Sequence, residues 1–317
     1  MKLSTVVMGV GVGAFALVGC GGSSGPGEVP LKDPTAKIEK SQVPEVLDRL
    51  TYASNFFGIL GGISSGEGKL AKKSDDASEE EEYANLPASG TFDCSSYVPE
   101  KDAEIKGGTY TIKYTTGSPD DKYKKSGNVA YTEDRKKCID HKGFLRTEKR
   151  NTTQTWEVNE KQGKWSGTTE LASEKSERVK DEKNKYTLST FYYEWNYEKS
   201  DKGNKYFEKD SYSAKGLHEG HPFEKYGIVT TTKHSAEYEK NNETVSGTLR
   251  GSFNYEKYQG WFTVVTDKEF VIEHPYDESA ACTQGKVTIK GGDNTTIVVE
   301  CKDKEVKVTY NGEEVEL

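Results

Sequence analysis

Long apolar runs are scarce in this chain: the one run long enough to notice lies within the first twenty of 317 residues. That excludes a multi-span helical membrane protein, which would need several stretches of about twenty apolar residues. There is no excess of positive charge, because 44 Lys and Arg face 52 Asp and Glu for a net charge of −8. A phosphate-binding surface needs a basic surplus, so nucleic acid is not an expected partner. Hydrophobic residues make up only 32% of the chain. Aromatic residues are nonetheless plentiful at 11%, with 19 Tyr, 11 Phe and 4 Trp, a share that disordered chains do not carry. The composition therefore describes a folded body with a thin, aromatic core.

Catalytic signatures are missing as well. The sequence contains no G-x-S-x-G elbow, P-loop or dinucleotide fingerprint. A glycosidase carboxylate pair cannot be read from a chain in which acidic residues are this common. The expectation is a non-catalytic protein.

The amino terminus carries the most specific motif. Lys2 provides a positive start, Val6 to Val18 an apolar h-region too short for a comfortable span, and Leu17-Val18-Gly19-Cys20 has the spelling of a bacterial lipobox. Residues 1–19 are thus expected to be a signal peptide, and Cys20 the site of diacylglyceryl and acyl attachment. Two or three chains, each CH₂ contributing about 0.8 kcal/mol, make a stable anchor. Gly21 rather than Asp follows, which points to the outer membrane. Residues 20–40, rich in Gly, Ser and Pro at the start, then read as anchor and tether.

Val46, Leu47, Leu50, Ala53, Phe57 and Leu60 recur at steps of three and four, which predicts an amphipathic helix within residues 41–63, packed on the protein's own sheet. Pro44 suits its first turn and Gly61-Gly62 its end. Residues 64–90, with Asp75-Asp76 and Glu79 to Glu82, read as an acidic linker.

From residue 91 to 317 the period changes to two. Tyr110, Ile112 and Tyr114 alternate with Thr and Lys, Phe191, Tyr193, Trp195 and Tyr197 make a similar aromatic row, and Ile228, Thr230, Thr232 and His234 another. The clearest stripe is Val245, Gly247, Leu249, Gly251, Phe253 and Tyr255. Turns are expected at Gln162-Gly163, Lys202-Gly203, Gln259-Gly260, Gly291 to Asn294 and Asn311-Gly312. This predicts a mainly β fold: an antiparallel meander of ten or more strands, closed as a barrel or left as a curved sheet, with the helix against it. The polar faces leave no lipid-facing belt for an inserted barrel.

Besides Cys20 the chain has Cys94, Cys138, Cys282 and Cys301, an even number in an exported protein, which favours two disulfides. Three connectivities are open. The local pairing, Cys94 with Cys138 and Cys282 with Cys301, is the expected one; zinc by four cysteines would need a C-x₂-C spacing that is missing.

The early cysteine pair, Ser246-Gly247, the run from Gly260 through Trp261 to Thr266 and the run from Gln284 to Gly292 together resemble a set of Gram-negative envelope lipoproteins of unknown function. The resemblance spans about residues 90–317. It implies a β-rich, Gly-punctuated lipoprotein and brings no activity with it. A curved sheet lined by a helix is also similar to periplasmic carriers of lipids and lipoproteins.

Two candidate sites follow. His218-Glu219-Gly220-His221 places three potential metal ligands within four residues, on what reads as an irregular loop, and could hold zinc or copper with help from His234. Trp156, Trp165, Trp195 and Trp261 could stack on a glycan or an apolar ligand, or could pack the core. The expected function is an outer-membrane lipoprotein acting as a binding or structural module for an envelope protein, a glycan or a hydrophobic ligand. The alternative is a metal-binding protein or hydrolase using the His218 loop. The anchor is directly testable: Cys20→Ser is expected to shift the protein from the membrane fraction into a soluble periplasmic pool, and retention in the membrane would contradict lipidation.

Overall fold

The structure, a computed structural model, describes residues 29–51, 83–94, 108–139, 145–174, 176–179, 181–275 and 280–316. The signal segment, Cys20, His141, residues 52–82 and the second half of the expected helix lie outside these. Among the described residues, no helix is long and apolar enough to cross a membrane.

Alternating sequence becomes a single antiparallel sheet of fifteen strands. It begins with β1 (Gly90–Asp93), β2 (Thr109–Thr116), β3 (Ser126–Ile139) and β4 (Leu145–Val158). β5 (Gln162–Leu171) and β6 (Ser176–Val179) lie end to end between β4 and β7 (Lys185–Ser200), interrupted at residues 172–175. The long strands β8 (Gly203–His218), β9 (His221–Glu237), β10 (Asn242–Tyr255) and β11 (Gly260–Glu273) continue the meander, and β12 (Ala281–Lys290), β13 (Thr296–Lys302), β14 (Glu305–Tyr310) and β15 (Glu313–Glu314) end it. The path runs from β1 to β15 with each neighbour antiparallel, and among the described residues no pairing joins its two ends. Among the described residues the sheet is therefore open rather than closed as a barrel.

The turns fall where their chemistry demands. At Asn311-Gly312 both residues take positive φ, 48° and 85°, the backbone of a two-residue hairpin. Gln259 takes φ 49° just before β11, as the Gln259-Gly260 pair suggests. The β4–β5 connection differs: its turn is built by Asn159, whose side chain caps Lys161 and Gln162, so Gln162-Gly163 already belongs to β5.

Both cores lie on the same face of this sheet. In the larger one, Val245, Leu249, Phe253, Phe262, Phe270 and Ile289 are covered by Ala36 and Ile38 and by Val43 and Val46 of helix α1 (Val43–Thr51). Of the helical stripe, Val46 and Leu47 meet the sheet as expected. The preceding strap is sewn to the strand ends: Thr35 and Ala36 donate to the Trp261 carbonyl, at 2.7 and 2.8 Å, and Gly292 donates to that of Ala36. The smaller core joins Tyr110, Ile112, Val129, Tyr131 and Trp156 beneath Ala84 and Leu86. Cys94–Cys138 lies in the smaller core and Cys282–Cys301 in the larger, so the local pairing is the one formed. Each bridge contributes about 2–4 kcal/mol through the unfolded chain. Phe253 is fully buried and stacks on Phe262 at 5.4 Å. Phe253→Ala is expected to cost about 3–5 kcal/mol in urea unfolding; a loss below about 1 kcal/mol would show that this core is not packed as described.

Candidate aromatic binding face

Register alone decides which side chains meet on the core-bearing face. One cross-strand row runs Trp156, Trp165, Tyr197, Tyr206, His234, Val245, Ile272, from the smaller core into the larger. The next rows place Trp195 opposite Glu208, Tyr193 opposite Asp210 and Phe191 opposite Tyr212. Between the two covered ends, then, β5, β7 and β8 carry a band of rings that are neither buried nor fully exposed: Trp165, Tyr193, Trp195, Tyr197 and Tyr206 are all half-buried. Trp165 and Tyr197 are tilted neighbours with centroids 5.4 Å apart.

Glycines make room for the indoles. A Cβ at Gly163 would fall 2.0 Å from the Trp165 ring, and one at Gly167 would fall 2.6 Å from Trp195 Nε1. These close approaches hold each ring flat against the strand.

Polar groups are interleaved with the rings. Tyr193 and Tyr206 share a hydroxyl–hydroxyl hydrogen bond of 2.8 Å, and Glu208 Oε2, 3.2 and 2.9 Å from the two oxygens, accepts the proton that this bond leaves free. Asp210 accepts from Thr230 at 3.3 Å. Burial, with the nearby Glu208 charge, pushes the Asp210 carboxyl up to about 6. Burial, outweighing its contact with Tyr206, pushes the Tyr193 hydroxyl up to about 12. The face thus offers flat apolar surfaces beside acceptors and donors fixed to about one geometry.

The other face of the same strands carries Glu157, Lys164, Glu198 and Lys205 in one cross-strand row of alternating charge, with Lys164 and Glu198 3.4 Å apart. A groove of about 830 Å³ is lined by these residues and by Trp165, Tyr197 and Tyr206 of the ring row.

The four tryptophans divide between packing and display. Trp156 is buried and donates to the Lys124 carbonyl at 2.7 Å, a core role. Trp261 meets Tyr226 edge-on at 6.4 Å, and Lys32 of the strap lies over both rings, so it too is a packing residue. Trp165 donates to the Tyr83 carbonyl, which ties the smaller cover to the band. Trp165 and Trp195 are the pair brought into one surface.

The histidine motif adopts a tighter form than the irregular loop read from its glycines and Pro222. Glu219 and Gly220, at φ 52° and 84°, form the two-residue turn of the β8–β9 hairpin, and His218 and His221 are its closing pair. Two imidazoles therefore share a face. His234 stands thirteen residues along β9 from His221, about 40 Å away at strand rise, and binds Glu243 at 2.6 Å. Among the described residues no three His, Cys, Asp or Glu side chains converge as a metal site. His218, Glu219 and His221 thus do not form a zinc or copper site among the described residues; the turn they build is instead hydrogen-bonded to its neighbour, the Glu219 N–H donating to Asn184 Oδ1 at 3.1 Å and that of Gly220 to the Lys183 carbonyl at 2.9 Å.

Compared with known proteins, the chain matches no family model, no curated protein and no solved structure.

Sequence reading missed Glu208 and Asp210, although Tyr206, Glu208, Asp210 and Tyr212 alternate at period two in β8 and so share the ring-bearing face. A folded-state pKa raised above the ordinary value favours protonated Asp210, so its contribution is complete below about pH 4 and is lost as pH rises through 6. Asp210→Asn is expected to raise stability at pH 7 by about 1–3 kcal/mol and to leave it unchanged at pH 3. Equal stability of the two proteins at pH 7 would contradict the burial of that carboxylate.

Proposed function

We propose that this chain is a lipid-anchored lipoprotein of the bacterial outer membrane, held through Cys20, and that it works as a non-catalytic module binding a glycan on its aromatic face. The observation that carries the reading is the band itself: Trp165, Tyr197 and Trp195 lie beside Glu208, Asp210 and the tyrosine hydroxyls. A sugar ring has an apolar C–H face that stacks on an aromatic ring and an equatorial rim of hydroxyls that need acceptors. The band supplies both at strand spacing.

Two other readings are supported less. A carrier of a hydrophobic ligand needs space under the helix, and that space is filled by Phe253, Phe262, Val43 and Val46. A metal-dependent hydrolase needs a ligand set, and the hairpin presents two imidazoles at its tip. The strap at Thr35 and Ala36 is sewn to the start of β11 and to Gly292, so it leaves the band on β5, β7 and β8 uncovered.

Binding of envelope polysaccharide fragments, followed by tryptophan fluorescence and calorimetry, is the test. Trp165→Ala and Trp195→Ala are each expected to weaken binding at least tenfold, while Trp261→Ala leaves it unchanged, and the bound glycan is expected back uncut. Binding that survives both band substitutions would overturn the site, and cleaved product would overturn the non-catalytic assignment.

A further inference from the structure

Away from the band, on the same face, β4 carries Arg146, Glu148 and Arg150 at successive inward positions. Register brings Arg135 of β3 opposite Glu148 and Arg178 of β6 opposite Arg146. The break between β5 and β6 falls beside Glu148, and Ser176 enters there to donate to Glu148 Oε2 at 2.8 Å. Glu148 is 1% exposed and collects Arg135 at 2.9 Å, Arg150 at 3.0 Å, Arg178 at 3.1 Å and Arg146 at 3.6 Å. Glu133 adds a second carboxylate, 3.6 Å from Arg135.

Among the described residues, the three guanidiniums of Arg135, Arg150 and Arg178 face the two carboxylates of Glu148 and Glu133, a surplus of one positive charge where water is largely excluded. An uncompensated buried charge is costly, and a guanidinium cannot neutralise itself by losing its proton. Burial outweighs even the Glu148 attraction at Arg150, whose pKa is lowered. Polar atoms are also left over: the Nε atoms of Arg150 and Arg178 are buried with no hydrogen-bond partner, in side chains 12% and 13% exposed. Such groups normally have partners.

Three of the planar groups, those of Arg135, Arg150 and Arg178, lie over rings. The Arg150 guanidinium lies 4.3 Å over Phe191, Arg135 4.8 Å over Tyr110 and Arg178 5.6 Å over Tyr186, which also accepts from Arg178 at 2.9 Å. Stacked guanidiniums with an unpaired Nε–H, as Arg150 and Arg178 have, are suited to take tetrahedral or planar oxyanions by N–H bonds.

We propose that this arginine cluster is an oxyanion site, which takes a phosphate or sulfate group as its missing counter-charge. The group is either a free ion or one carried on a sugar, and the site is separate from the aromatic band, so it does not depend on the glycan reading.

The test uses the purified protein, titrated with inorganic phosphate, inorganic sulfate and glucose 6-phosphate, with chloride at matched ionic strength as control, followed by thermal unfolding and calorimetry. Saturable binding is expected, with the unfolding midpoint raised by about 2–4 °C over chloride. A response to the inorganic ions identifies a free-anion site, and a response to the sugar phosphate alone identifies a carried group. Arg150→Gln and Arg178→Gln are expected to reduce the affinity at least tenfold, whereas Trp195→Ala leaves it unchanged. Glu148→Gln enlarges the charge surplus, so its lower midpoint is expected to be recovered by phosphate. If none of the three probes binds the unsubstituted protein above the chloride control, the cluster is neutralised within the chain and the proposal fails, whether or not the variants fold.

Discussion

The unbroken antiparallel register is the constraint on which everything else rests. In a sheet with a side-chain period of two, a slip of one residue would exchange the two faces of a strand. Here the row from Trp156 to Ile272 crosses seven strands without such a slip, so two distant cores and the band between them share one face. Bulges adjust the register where a strand would otherwise turn its apolar residues outward. The irregularity between Leu188 and Thr190 puts Leu188 and Tyr186 on the face that carries Phe191, and buries Leu188.

Because the cores sit at the two ends, the middle strands are supported mainly by their own ladders and by side-chain pairs across them. Thr153 with Thr168, Thr155 with Ser166 and Thr231 with Thr248 bond hydroxyl to hydroxyl on the solvated face, and Trp165 with Tyr197 supplies ring contact on the other. This accounts for a composition low in aliphatic residues and high in Thr, Tyr, Lys and Glu. A strand covered on neither side needs side chains that are apolar along their length and polar at the tip. The same need makes the central face chemically usable, since its rings are held in place without being sealed.

Much of this was legible in the sequence. Alternation identified the strands, and Gly and Asn the turns; the stripe from Val245 to Tyr255 is buried as its period required. Of three open disulfide connectivities, the local one expected from the hairpins is the one formed. What could not be read was which rows face one another. Tyr206 and Glu208 gain meaning only opposite Tyr197, Tyr193 and Trp195, and Arg178 meets Glu148 only because β6 resumes the position that β5 leaves. Partners such as Arg135 and Glu148 are thirteen residues apart in the chain, a spacing that carries no signal by itself. The histidine motif misled for the converse reason. Its ligands are close in sequence, but among the described residues the tight turn does not gather them with others into a metal site.

Hydrogen exchange of the native protein, resolved along the chain by mass spectrometry, tests the central claim most directly. If the ladder is continuous, the amides of Tyr193 to Tyr197 in β7 and Tyr206 to Asp210 in β8 will be protected to a degree comparable with those of β4 and β10, although the side chains of this stretch are not buried. Exchange of β7 and β8 within seconds, while β10 to β12 stay protected, would mean that the middle of the sheet is not held by its register and that the aromatic face is not a standing surface.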